Sequence, residues 1–228
     1  MSRPEIPVVD VVKRAVVDGE LREAAWRMYL ETFDELRSLA LQRHLYTRAE
    51  FDHVMADEPV TKYVGRHLAD DDAALVDTDG ARLRSLCALA TFTRDLTTMP
   101  LVSPEFFAAR WPEHYERDRC FYIGFVGVHP GYQRTTNVFH QIVSDMTQTV
   151  AGAGGVAVLD VCTRNSEMFQ LPQAILRIAQ SHEPRATATP VDQQTYWAYE
   201  APSSVDLTAV EPRTVDLRDT GAPTRHRD

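Results

Sequence analysis

Cys120-Phe121-Tyr122-Ile123-Gly124-Phe125-Val126-Gly127-Val128, followed by His129-Pro130-Gly131-Tyr132-Gln133-Arg134, is the stretch whose reading decides the fold. A run with no charge is what a strand buried on both faces requires, and His129-Pro130-Gly131 supplies the turn that ends it. Between 134 and 150, Val138, Phe139, Ile142, Val143, Met146 and Val150 recur at helical spacing. His140, Gln141, Ser144, Asp145 and Gln148 fall mostly off that face, so an amphipathic helix is predicted. The glycines of 152–155 break it, and Val156–Cys162 (VAVLDVC) reads as a second buried strand. Strand, helix and strand in that order give a parallel pair, because parallel strands need a long crossover.

Upstream, the β-branched run Pro7–Val17 reads as a first strand. Asp18 is placed to cap a helix over 19–31, with Leu21, Ala25, Met28 and Tyr29 on one face. Thr32-Phe33-Asp34-Glu35 and Thr47-Arg48-Ala49-Glu50 both match the capping-box pattern, so three short helices are expected before residue 60. Ala73–Val76, an Asp79-Gly80 turn and Leu83–Phe92 form a hairpin signal. Ser103-Pro104-Glu105 opens a further helix reaching Tyr115, anchored by Phe106, Phe107 and Trp111. Asn165 opens another toward Gln180, shortened or bent by Pro172. Thr187–Thr189 and Thr195–Glu200 read as a closing hairpin. The expected division is one domain over 1–201 and a Pro-, Ser-, Thr- and Asp-rich surface tail over 202–228.

The chain has 228 residues, 44% hydrophobic and 25% charged, which suits a soluble globular domain with its own core. A formal net charge of −9 argues against a nucleic-acid partner, since phosphate neutralisation needs a basic surface. No apolar run is long enough to span a bilayer and the N-terminus lacks a secretory pattern, so no membrane association and a cytoplasmic location are expected. Cys87, Cys120 and Cys162 are far apart in sequence and each lies in an apolar run, as reduced thiols do; neither a disulfide framework nor a metal site is expected.

The chain order (helices, antiparallel hairpin, helix, buried strand, helix, buried strand, helix, closing hairpin) resembles that of GNAT-type (Gcn5-related) N-acyltransferases. The resemblance is sharpest at Val126-Gly127-Val128-His129-Pro130-Gly131-Tyr132-Gln133-Arg134, which looks like the end of that family's central strand and its pyrophosphate-gripping turn. Asn165 falls where these enzymes often carry an Asn after the next strand. The resemblance implies an α/β fold with a mixed central sheet and a splayed parallel pair. The pantetheine arm of a thioester would then lie in the split, against Phe125, Val126 and Val128.

A helix start leaves backbone N–H groups unpaired and carries partial positive charge, so a strand-to-helix turn is a ready anion site. The donor-binding residues implied are therefore Gln133, Arg134, Thr135, Thr136, Asn137 and Val138, together with Asn165. Two departures stand out: Thr136 and Val138 fill the family's glycine positions, where glycine lets amides approach phosphate closely. Pro172 stands where many members carry an acid Tyr. Tyr122, His129 and Glu167 remain as candidates for the proton transfer that an amine acceptor needs. Each also has a plain structural role: core aromatic, turn histidine and first-turn carboxylate.

Arg94-Asp95-Leu96-Thr97-Thr98-Met99-Pro100 is similar to a segment of acyl-homoserine-lactone and N-acyl amino acid synthases, GNAT-like proteins that take acyl groups from acyl carrier protein. The expectation is an N-acyltransferase moving an acyl group from acyl-CoA or an acyl carrier protein to a small-molecule amine. Acyl-pantetheine would be its co-substrate, with no tightly bound cofactor and a homodimer left open. The alternative is a GNAT-like binding or regulatory module that has lost catalysis, or a structural partner in a biosynthetic assembly.

Overall fold

The computed structural model describes residues 7–36, 45–69, 75–100, 102–133, 136–193 and 198–199. The chain divides into a unit ending at Val191 and a second from Asp192 onward. Of the second, only Asp192, Gln193, Ala198 and Tyr199 are among the described residues, and Tyr199 is exposed. The tail expected over 202–228 lies outside them.

The first unit is an α/β sheet flanked by helices, as the sequence led us to expect. Its elements in order are β1 (Val9–Arg14), α1 (Gly19–Phe33), α2 (Arg48–Ala56), β2 (Thr61–Leu68), β3 (Leu75–Val76) and β4 (Arg82–Thr93). Then come α3 (Pro104–Arg110), α4 (Pro112–Glu116), β5 (Cys120–Val128), α5 (Val138–Ala153), β6 (Val156–Leu159), α6 (Thr163–Glu167) and α7 (Leu171–His182). The sheet runs β1-β2-β4-β5-β6, with β3 paired to β4. Every pairing is antiparallel except β5 with β6, which is parallel.

Each face of the sheet buries its own layer. On one, Leu21, Ala25, Met28 and Tyr29 of α1 and Phe51, Val54 and Met55 of α2 pack on Val64, Leu86 and Leu89. On the other, Val138, Ile142 and Met146 of α5 pack on Phe92, Phe121, Ile123 and Val128. Leucine and methionine at i, i+3 and i+4 make these stripes, and burial of the stripes rather than helix propensity holds the helices in place. Cys87 and Cys120 are buried and Cys162 half-buried, all as free thiols. Among the described residues no helix is long and apolar enough to cross a membrane.

Several elements differ from the sequence reading for identifiable reasons. Thr32 does not cap a new helix; α1 runs through it, and its hydroxyl donates to the Met28 carbonyl at 2.8 Å. The helix expected after it falls largely on residues 37–44, outside those described. Thr47 does form the capping box with Glu50. Strand β2 had no forecast because Lys62, Arg66 and His67 interrupt its apolar pattern. Lys62 is buried, and its ammonium is satisfied by the carbonyls of Ala15 and Asp57. Arg66 is held by Asp10, Asp77 and Asp79. The helix expected over 104–115 is two helices, since Pro112 has no N–H to continue the first. Thr187–Thr189 forms no strand, and most of its expected partner, 195–200, lies outside the described residues.

Candidate functional site

The two central strands pair over only part of their length. Cys120, Phe121, Tyr122 and Ile123 face Val156, Ala157, Val158 and Leu159, and there β6 ends. The strand expected to run to Cys162 stops at Leu159, immediately before Asp160, the one charged residue of VAVLDVC. Strand β5 continues to Val128 with a partner on its β4 side, so Gly124–Val128 lie beyond the last β6 pair. The parallel pair is open at its C-terminal end.

A bulge sits at the point of opening. Thr91 pairs with Phe125 and Phe92 with Ile123, so Gly124 is the extra residue. The side-chain alternation shifts there: Phe121, Ile123, Val126 and Val128 face α5, whereas Tyr122 and Phe125 face α1. Bulges re-aim side chains in this way and are over-represented beside active sites. A Cβ on Gly124 would lie 2.5 Å from Thr91 Oγ1, 3.0 Å from Met99 Cε and 3.1 Å from the Tyr46 hydroxyl. Gly127 has a different cause, because its missing Cβ leaves room for the Phe33 ring, which would come within 2.9 Å.

The turn after β5 is braced internally. Gln133 Nε2 donates to the Val128 carbonyl at 2.9 Å, and the Gly131 N–H donates to His129 Nδ1 at 3.1 Å. His129 Nε2 lies 3.1 Å from Glu31 Oε2, so both ring nitrogens are engaged and the ring ties the turn to α1. Tyr132, which sequence reading did not single out, anchors the turn to β2 and β4: its hydroxyl meets His67 Nδ1 at 2.7 Å and Ser85 Oγ at 2.8 Å. Thr136 donates its hydroxyl to the Tyr132 carbonyl at 3.0 Å. Asn137 is the N-cap of α5, but its side chain accepts from Gln141 and caps no backbone N–H. Val138 is fully buried, and the first turn of α5 has no acidic residue. The helix thus begins against the sheet with positive dipole and without a competing carboxylate. Arg134 and Thr135 lie outside the described residues.

The other candidates are more dispersed. Tyr122 donates to Asp160 Oδ1 at 3.0 Å, bridging β5 to the end of β6. Burial, reinforced by the Asp160 charge, pushes its pKa well above the usual phenol range. The phenol therefore stays protonated and is suited to donating a proton, not to accepting one. Asn165 is half-buried in α6, with its backbone N–H on the Cys162 carbonyl. Glu167, at the end of that short helix, is exposed. Pro172 starts α7.

Tyr46 and Asp160 had no place in the sequence reading. Burial raises the pKa of Tyr46 as well, and Tyr29 and Asp160 add to the rise. The signal for Asp160 was a lone charge in an apolar run; Tyr46 offered none, because only the fold brings it to Gly124. An open cleft of about 570 Å³ lies elsewhere, at the start of β5, lined by Arg94, Asp95, Thr97, Tyr115 and Cys120 among others. Size alone would favour it. Its Arg94 is paired with Asp118 at 3.3 Å and its Cys120 thiol is pushed up by burial, so no reactive group is presented there. No group of three or more His, Cys, Asp and Glu able to hold a metal occurs among the described residues.

No protein-family model matches the chain, and no curated protein matches it. Solved structures do. The chain is similar in structure to N-acetyltransferases. An aminoglycoside acetyltransferase from an uncultured soil metagenomic sample, solved with trehalose, is 10% identical over 84% of this chain and 97% of that one, with a TM-score of 0.44. A ribosomal-protein-alanine N-acetyltransferase from Brucella melitensis biovar Abortus 2308 is 14% identical over 85% and 100%, with a TM-score of 0.39. An acetyltransferase of Trypanosoma brucei is 13% identical over 82% and 100%, also at 0.39. Likeness of this degree concerns the fold and carries no argument about donor, acceptor or catalysis.

Proposed function

We propose that this chain is a GNAT-like N-acyltransferase that moves an acyl group from a pantetheine thioester, on CoA or on an acyl carrier protein, to an amine of a small molecule. The observation that carries this reading is the opening of the parallel pair beyond Ile123 and Leu159, with a bulge at Gly124. It supplies a strand edge for an extended amide-bearing arm at Phe125, Val126 and Val128, and the uncapped start of α5 beyond it suits a phosphate.

In the reaction, the neutral amine attacks the thioester carbonyl carbon; the N–C bond forms as the C=O electrons move to oxygen. A β5 backbone N–H near Val126 would face that oxyanion. Collapse breaks the C–S bond, and the thiolate takes the proton that nitrogen sheds. An acceptor that arrives as an ammonium ion releases one further proton before attack. Tyr122, His129 and Glu167 are the proposed proton-transfer groups, of which Tyr122 stands nearest the opening.

The second reading, a binding module without catalysis, is favoured by Thr136 and Val138 at the glycine positions and by Pro172 in place of an acid Tyr. Melting the full chain with acetyl-CoA, a long-chain acyl-CoA or an acyl carrier protein separates the two. A thioester at about 100 times its Kd should stabilise by about 2.7 kcal/mol, raising Tm by roughly 5–11 °C. Stabilisation together with thiol release over a panel of amines supports the transferase. Stabilisation without release points to the module, and no stabilisation by any thioester contradicts both.

A further inference from the structure

Around the Gly124 bulge the structure collects groups that suit a cation. Asp160 stands exposed where β6 ends, and the Tyr122 hydroxyl occupies only one position on its carboxylate, at Oδ1. An ionised carboxylate offers about four acceptor sites, so the pair retains capacity for further donors. The Tyr46 hydroxyl approaches the same bulge at 3.1 Å from the position of an absent Gly124 Cβ. Tyr46 and Tyr122 each act on the other's environment or share that of Asp160, as their common dependence on its charge shows.

Two further features point to a ligand. Thr91 Oγ1 is fully buried, has no hydrogen-bond partner, and lies 2.5 Å from where a Gly124 Cβ would be. An orphaned buried hydroxyl is costly unless something approaches it, and the missing side chain at Gly124 leaves that approach open. Behind it, the rings of Tyr29 and Tyr46 stand edge-on to Phe125, with centroids at 5.0 and 6.0 Å. Aromatic faces beside a carboxylate attract an ammonium group through the ring quadrupole.

We propose that Asp160, Tyr122 and Tyr46 bind the head of the acyl acceptor as an ammonium ion, so that the acceptor is a cationic primary amine whose α-carbon bears no carboxylate. The inference rests on the acyl-transfer reading and adds a charge rule to it. The ammonium is positioned by Asp160 and loses its first proton there to solvent, which leaves the neutral nitrogen facing the thioester carbonyl. An α-carboxylate would stand beside Asp160 as a like charge in a partly desolvated site, so α-amino acids are selected against.

Kinetics on the full chain with acetyl-CoA or octanoyl-CoA as donor test this, with 2-phenylethylamine and phenylalanine as matched acceptors. The native chain should prefer the amine by roughly 10-fold or more in kcat/KM, the scale of one like-charge contact at short range. Asp160→Asn should raise KM for the amine by about 10-fold and narrow its advantage over the amino acid, with donor Kd unchanged. Tyr122→Phe should move KM in the same direction by less. The proposal is overturned if Asp160→Asn leaves acceptor KM and the amine preference as they were, or if the native chain binds the donor yet transfers to no cationic amine. If no thioester binds the native chain, the acyl-transfer reading falls first, and the charge rule falls with it.

Discussion

Asp77→Asn lowers unfolding stability by about 3 kcal/mol, the lower end of what removing one partner of a buried ion pair costs. The Asp77 side chain is 0% exposed and receives Arg14 at 3.0 Å and Arg66 at 2.8 Å. Both guanidinium groups keep Asp79, and Arg66 keeps Asp10, which holds the loss below the upper end of that range. Burial works to raise the Asp77 pKa, but hydrogen bonds from Arg66, Arg14 and the Thr78 N–H outweigh it and leave the group below the ordinary aspartate value. Asp79 is lowered too, chiefly by Arg66. A depressed folded-state pKa contributes stability that is present above the unfolded value, about 3.9, and is lost as pH falls below it. Denaturant melts at neutral pH should show the loss, and melts from pH 6 down to pH 2 should show a flatter decline for the variant than for the native chain. Equal stability at neutral pH would mean that the network contributes nothing net.

Gly124→Ala abolishes most transfer while the chain stays folded. The new methyl would stand 2.5 Å from Thr91 Oγ1, and Thr91 is fixed in β4, so the bulge itself must move. Overpacking of this kind costs about 1–3 kcal/mol in stability. The larger consequence is geometric: a displacement of about 1 Å at the reacting centre can lower the rate by roughly 100-fold. Gly152→Ala is the control, since nothing lies within 4 Å of its added Cβ and alanine suits a helix interior. Thiol release measured beside circular dichroism checks the pair. Native-like rates in Gly124→Ala would remove the bulge from the mechanism.

The central unit was legible because its physics is local. An uncharged run, a Pro-Gly turn, one apolar helix face and a second apolar run leave few arrangements other than a parallel pair. Strand β2 was hidden by Lys62 and Arg66, whose charges are satisfied by carbonyls and carboxylates distant in sequence. Thr32 misled because a capping-box pattern is only a pattern; the Met28 carbonyl took its hydroxyl and α1 continued. In the site, Gly124 and Tyr122 were found from sequence, whereas Tyr46, Thr91 and Asp160 are brought to them only by the fold. The length of the β5–β6 pairing was equally hidden, since Val161 and Cys162 suit a strand as well as Leu159 does.

Hydrogen exchange in the presence and absence of acetyl-CoA, octanoyl-CoA and an acyl carrier protein bears most directly on the claim that a thioester binds where the parallel pair opens. Binding should slow exchange at the amides of 124–128 and of 138–141, and leave β1 and α2 unchanged. A bound thioester that protects neither stretch, or that protects only Arg94–Thr97 and Asp118–Cys120 around the cleft at the start of β5, would contradict it.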